Sequence, residues 1–372
     1  MSDLGALALV DDALPTEALF DRPLTALGGA LDAAALRGMC LVFDATLGVD
    51  AEERRRVRAS MRPYVTPALE RAPRDFFACL DDPAPPRLLT STRCRTIDGG
   101  TIVARRFVSG YSRFDPLLRD ASVECRENGY IPVQHWMHDD PPAATVVALH
   151  GFTMGNPRFD AFALMVAQWF RMGLDVALMT LPFHGARSPR SARYSGELFA
   201  SWHVGRLNES VRQSIHDVDL VTRWLAAERD VPVGVIGLSL GGYVAALYAG
   251  LSPRPAFVMP VAPPVRLGAL PLRLFALSRH RTTGDAPLSP DELRRAYRVH
   301  SPLTYPLAVP KERALIIAGR GDRIVPPEHP HALWKHWGEP AIHWYSGSHI
   351  APFRRREILA AGAHHLERLG IL

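Results

Sequence analysis

Seven short runs, most of them almost wholly apolar, mark the chain after its first third, at 130–137, 144–149, 175–180, 233–238, 256–261, 314–318 and 341–345. Runs too short for helices and lacking alternate polar positions are what strands covered on both faces look like, and such strands belong to parallel sheets. Helical stretches fall between them, at about 159–172, 209–228 and 241–251, with a last one at about 353–369. Within 209–228, Val211, Ile215, Val218, Val221 and Leu225 recur at helical spacing. Strand and helix alternate as in βαβ units, so the sequence predicts an α/β, doubly wound, mostly parallel sheet with helices on both faces.

The first ninety residues read differently. Ala- and Leu-rich helical stretches cover about 29–49, 51–61 and 68–80, and the run from Glu52 to Arg58 reads as a solvated helix face with Glu-to-Arg pairs. Asp81-Asp82-Pro83-Ala84-Pro85-Pro86 then stops helix and strand alike, because proline removes a donor and constrains the residue before it. The expected organisation is an N-terminal, mostly helical segment over 1–92 and an α/β domain over 93–372, with a cap or lid inserted at about 263–313.

Composition narrows the function classes. With 372 residues, 47% hydrophobic and 22% charged, the chain can bury a large core, which excludes disordered and fibrous architectures. The formal charge of +5 comes almost wholly from arginine, lysine occurring only at Lys311 and Lys335. No basic stripe is interleaved with aromatics, so no nucleic-acid partner is expected. The four cysteines contain no CxxC pair, which fits a reducing cytoplasm better than a disulfide framework or a zinc knuckle. Met1 to Phe20 carries four acids and no basic start, so no secretory signal is expected, and no uninterrupted apolar run reaches the roughly 18 residues of a membrane span. No His-Glu-x-x-His and no phosphate-cradling Gly-x-x-x-x-Gly-Lys run occurs, so neither metal nor cofactor is expected.

The chemistry concentrates in Val233-Gly234-Val235-Ile236-Gly237-Leu238-Ser239-Leu240-Gly241-Gly242, an apolar strand entering Gly-x-Ser-x-Gly and then a helix. A nucleophile on a sharp strand-to-helix turn needs neighbours without bulk, which Gly237 and Gly241 supply, and the helix points free N–H groups and its positive end back at the turn. A dinucleotide-binding turn fits less well: Ser239 stands where the pyrophosphate must approach, and no ribose-binding acid follows position 256. A serine hydroxyl needs a base, and the base needs an orienting acid. Asp322 follows the strand 314–318, and His349 follows the strand 341–345, so both occupy loops at strand C-terminal ends. His150-Gly151-Phe152 follows the strand 144–149, where the N–H of Phe152, with that of Leu240, would face a developing oxyanion, and His150 would orient the loop.

With these residues, Gly237-Leu238-Ser239-Leu240-Gly241, His150-Gly151-Phe152, Asp322 and His349, the chain resembles the α/β-hydrolase superfamily over roughly 130–370. Leu181-Pro182-Phe183-His184-Gly185-Ala186-Arg187-Ser188 looks like that superfamily's Asp-x-x-Gly-His-Gly-x-Ser loop, but Thr180 and Phe183 stand where its acid and first glycine would be, so His184 is read as loop structure near the pocket. The resemblance implies a serine hydrolase acting on small-molecule esters or acyl compounds, with Ser239 as nucleophile, His349 as base and Asp322 as orienting acid. Two rivals stay open at this point: an acyltransferase or thioesterase using the same site, and a silent binding or scaffold protein whose interaction surface is the N-terminal segment. The stretch 266–277 reads as a cap helix buried over the pocket in preference to a lid that opens on lipid, with a dimer contact as the third alternative. Oligomeric state is not legible.

Overall fold

The computed structural model describes residues 21–47, 50–81, 83–119, 125–199, 202–282 and 286–372, so the signal-peptide expectation for Met1 to Phe20 lies outside the described residues. Nine strands form one sheet: β1 (Arg87–Ile97), β2 (Gly100–Val108), β3 (Tyr130–His138), β4 (Ala144–Leu149), β5 (Leu174–Met179), β6 (Val233–Leu238), β7 (Val258–Val261), β8 (Leu315–Gly319) and β9 (Ala341–Tyr345). Their spatial order is β1-β2-β3-β5-β4-β6-β7-β8-β9. From β5 to β9 every neighbouring pair is parallel, whereas β1, β2, β3 and β5 pair antiparallel.

The helices are α1 (Arg22–Leu47), α2 (Ala51–Ala59), α3 (Pro67–Arg71), α4 (Pro116–Arg119), α5 (Pro157–Ala163), α6 (Val166–Arg171), α7 (Val204–Arg229), α8 (Leu240–Leu251), α9 (Ala269–Leu277), α10 (Pro290–Tyr297), α11 (Glu328–His336) and α12 (Arg355–Arg368). Successive strand residues point to opposite faces. Val147, Val235 and Ile316 pack with Val218 and Val221 of α7 and Val244 of α8. Their neighbours Val146, Ile236 and Ile317 pack on the other side with Trp169 of α6 and Ile358 and Leu366 of α12. Both faces are therefore covered, which is the doubly wound arrangement and the reason these strands read as unbroken apolar runs.

The structure revises several expectations. β1 spans the boundary expected at residue 92, because an almost fully exposed edge strand of sequence RLLTSTRCRTI shows no apolar periodicity. β2 pairs in register with β3 and was equally unforeseen. The helix expected over 159–172 is broken into α5 and α6 at Met165, whose φ of 56° is left-handed. α11 had no forecast, and the strand expected from 256 begins at Val258.

The N-terminal segment corrects another statement. The 22 residues Arg22–Phe43 are long and apolar enough, by length and composition, to cross a membrane, although no uninterrupted apolar run is present. In the structure α1 lies over the loops that follow β8 and β9, with Gly28 against Ser348, Gly29 against Arg323, and the Asp32 side chain fully buried. Leu36, Cys40 and Phe43 of α1 form a small core with Leu274 of α9 and with Ile324 and Val325. The segment 263–313 contributes α9 and α10, of which α9 packs along α1.

Candidate active site

Ser239 caps the N-terminus of α8 with φ 55° and ψ −111°, a left-handed conformation that costs a non-glycine residue energy and persists only where its surroundings hold it. The surroundings are close. A Cβ on Gly237 would lie 2.1 Å from the carbonyl oxygen of Gly241, and one on Gly241 would lie 2.2 Å from that of Leu149. Strand β6 and helix α8 thus approach to backbone contact, and β4 abuts the same turn. Gly241→Ala should cost about 1–3 kcal/mol of stability through overpacking against backbone that cannot yield, measured by denaturant unfolding; a variant as stable as the wild type would contradict the close approach.

The turn projects the Ser239 hydroxyl toward His349. Its Oγ lies 2.9 Å from His349 Nε2, and His349 Nδ1 lies 2.7 Å from Asp322 Oδ2. The other carboxylate oxygen of Asp322 accepts the N–H groups of Ile324 at 2.9 Å and Val325 at 2.7 Å. These two donors stabilise the anion and fix its plane, so the remaining oxygen faces the ring. Nδ1 of His349 then carries the proton, and Nε2 accepts from the serine. Burial alone would pull the His349 pKa down; the Asp322 carboxylate, aided by Asp32, outweighs it and the net shift is upward.

The amides expected to face an oxyanion belong to the loop after β4 and the first turn of α8. Among the described residues, neither the Phe152 nor the Leu240 N–H finds a protein acceptor. The neighbouring Gly151 N–H is occupied, donating to the Met154 sulfur at 3.1 Å. Beneath this loop His150 is fully buried: Nδ1 donates to the Gly151 carbonyl at 2.8 Å, and Nε2 accepts the Leu181 N–H at 3.0 Å. Burial pushes its pKa down to about 4, so it is a neutral spacer that ties the loop after β4 to the loop after β5.

His184 packs against His150 and Phe152 with ring centroids 5.0 and 5.8 Å away. It is buried, and its Nδ1 donates to the Pro182 carbonyl at 2.8 Å, which makes it loop structure packed behind Phe152. Arg187 anchors the same loop: its guanidinium is completely buried and reaches Asp217 at 2.7 Å, as well as the carbonyls of Thr180 and Asn128. Among the described residues, no cluster of three His, Cys, Asp or Glu side chains is arranged to hold a metal ion.

Two cavities meet at Ser239 and Phe152. One, of about 350 Å³, is bounded by Met39 and Phe43 of α1, Trp202, and Leu270 and Leu274 of α9. The other, of about 400 Å³, runs under the loop of His349 and is bounded by Phe162, Leu164, Met259, Ile317 and Ile358. Both walls are mostly apolar, and both volumes are in the range of small-molecule sites. Sequence reasoning named none of the α1 contributions. One signal was available: Asp32 is the sole acid in the apolar stretch from Arg22 to Phe43.

Comparison with known proteins agrees with the fold. The family model for "alpha/beta hydrolase domain containing 18" matches residues 98–265. Two uncharacterized proteins of Mycobacterium tuberculosis, from strains CDC 1551 and H37Rv, are each 31% identical over 242 residues, 62% of this chain and 55% of theirs; the chain thus spans about half their length. Among solved structures, acetyl xylan esterase 1 from Thermoanaerobacterium sp. JW/SL YS485 superposes with a TM-score of 0.54 at 15% identity, covering 85% of this chain and 98% of that one. An acetyl xylan esterase from Paenibacillus sp. R4 gives a TM-score of 0.51 at 16% identity, covering 79% and 91%. At these identities the solved structures speak for the fold alone. Sheet order, the strand-turn-helix at Ser239, the matched family model and these superpositions agree: the chain has the α/β-hydrolase fold.

Proposed function

We propose that this protein is a serine hydrolase that cleaves carboxylic esters carrying apolar groups. The observation that carries this reading is the unbroken hydrogen-bond chain from Ser239 through His349 to Asp322, at the junction of two apolar cavities. In the proposed reaction Ser239 Oγ attacks the acyl carbon while His349 Nε2 takes its proton, and Asp322 stabilises the imidazolium that forms. The free amides of Phe152 and Leu240 receive the negative charge of the tetrahedral intermediate. His349 then returns the proton to the departing alcohol, and water, activated by the same imidazole, releases the acid. The esterase names of the two superposed structures agree with this chemistry without specifying a substrate.

The apolar cavity walls support a preference for longer acyl groups. Each methylene transferred from water to an apolar wall is worth about 0.8 kcal/mol, close to fourfold in kcat/KM when the contact persists in the transition state. Going from p-nitrophenyl acetate to the hexanoate adds four methylenes, so kcat/KM should rise by about 10²-fold, with free acid as the product even when glycerol or a thiol is added. A flat series, or acyl transfer to the added acceptor, would sink the reading.

A further inference from the structure

Helix α1 does more than roof one cavity. The carboxylate of Asp32, completely buried, accepts three backbone N–H groups from the two loops that carry Asp322 and His349. Oδ2 takes the N–H of Arg323 at 2.9 Å and that of His349 itself at 3.0 Å. Oδ1 takes the N–H of Ile350 at 3.1 Å. One side chain from the N-terminal segment thus joins the residue after the acid to the histidine, across 291 and 317 positions of sequence.

The helix is shaped for this approach. Gly28 and Gly29 precede Asp32 by four and three residues and so share its face. A Cβ on Gly28 would meet the Ser348 nitrogen at 2.9 Å, and one on Gly29 would meet Arg323 Nε at 2.9 Å. A pair of glycines lets the helix backbone settle onto both loops at the depth Asp32 needs. Farther along, Cys40 donates its thiol to the Leu274 carbonyl of α9 at 3.2 Å, so the same helix holds the cap. A buried carboxylate carries a heavy desolvation cost unless donors satisfy it, and here backbone N–H groups do so.

We infer that α1 is an integral strap of the catalytic centre and that Asp32 is a positioning residue, holding the acid loop and the histidine loop in one register and adding negative charge behind the imidazole. The inference rests on the hydrolase reading for its kinetic consequence, but the geometry it asserts does not depend on any substrate. The charged and titratable groups around Asp32 are Asp322 and Arg323 on one loop, His349 on the other, and Tyr345 at the end of β9. Asp21 and Arg354 pair at the start of α1. Of these, His349 is the group whose protonation controls the proposed nucleophile.

Two variants of the full chain test this. Asp32→Asn keeps shape and part of the acceptor capacity while removing the charge; Asp32→Ala removes both. In Asp32→Ala, kcat on p-nitrophenyl hexanoate should fall about 10²-fold, the scale of a slight misplacement of a catalytic group, with KM within about twofold. Asp32→Asn should recover part of that loss while moving the acid limb of kcat/KM to lower pH. The His349 Nδ1 proton, identified in NMR spectra by its loss in His349→Ala, should titrate at lower pH in folded Asp32→Asn than in the wild type. That readout needs no turnover, so a wild type inert toward every ester and toward fluorophosphonate would end the hydrolase reading and still leave Asp32 to be judged. If Asp32→Ala does not fold, Asp32→Asn decides. A folded Asp32→Asn with wild-type kcat, acid limb and imidazole titration overturns the inference.

Discussion

Ser239→Ala should lose about 10⁴–10⁶-fold in kcat on p-nitrophenyl esters and all covalent labelling by a fluorophosphonate probe, while remaining folded. The magnitude follows from what the hydroxyl does in the proposed reaction: without it there is no acyl-enzyme, and only binding and the two free amides still favour the transition state, a residue of about 10³–10⁴ over water. Folding is spared because, among the described residues, the partner of Oγ is His349, and the turn is held by backbone contacts at Gly237 and Gly241. Ser239→Gly is the informative companion. It is equally inactive, but glycine meets φ 55° without strain, so it should be more stable than Ser239→Ala by about 1 kcal/mol. Turnover retained in folded Ser239→Ala would place the chemistry elsewhere.

The parts of this site that could be seen in the sequence are those whose position is fixed by strands that read as apolar runs, buried at β4 and β6 and half-buried at the sheet edge at β9. β4, β6 and β9 lie where their apolar runs end, so the loops bearing His150, Ser239 and His349 could be located by reading where hydrophobicity stops. Gly237 and Gly241 were legible for the same local reason, since a tight strand-helix turn excludes side chains. β1 was not legible: both its faces meet water, and an exposed edge strand is chosen against stickiness rather than for burial. The α1 contribution was missed because it is purely tertiary. Nothing local says that Asp32 bonds to residues some 300 positions away, and an Ala- and Leu-rich helix is compatible with many partners. Asp32, the lone acid between Arg22 and Phe43, was a feature at odds with an ordinary packing helix, and such local inconsistencies concentrate at functional positions.

Asp322→Asn should reduce kcat by about 10⁴-fold with little change in KM. Asn is the same size, and its amide oxygen can still take the Ile324 and Val325 N–H groups that Oδ1 takes now. That orientation turns the amide NH₂ toward His349 Nδ1. A donor there favours the tautomer with the proton on Nε2, where it faces Ser239 and cannot accept the hydroxyl proton. The loss is therefore one of protonation state, in a protein whose geometry is unchanged. The pH profile separates this from misfolding. Because His349 must be neutral to act as base, and Asp322 raises its pKa above the ordinary 6.5, wild-type kcat/KM should be full in alkali and fall as pH drops through a midpoint above 6.5. Replacing the carboxylate withdraws that stabilisation of the imidazolium, so the residual activity of Asp322→Asn should persist to lower pH than the wild type's. A near-normal rate in this variant would assign the orienting role to another acid; Asp32, whose oxygens are engaged by backbone N–H groups, would be the first to replace.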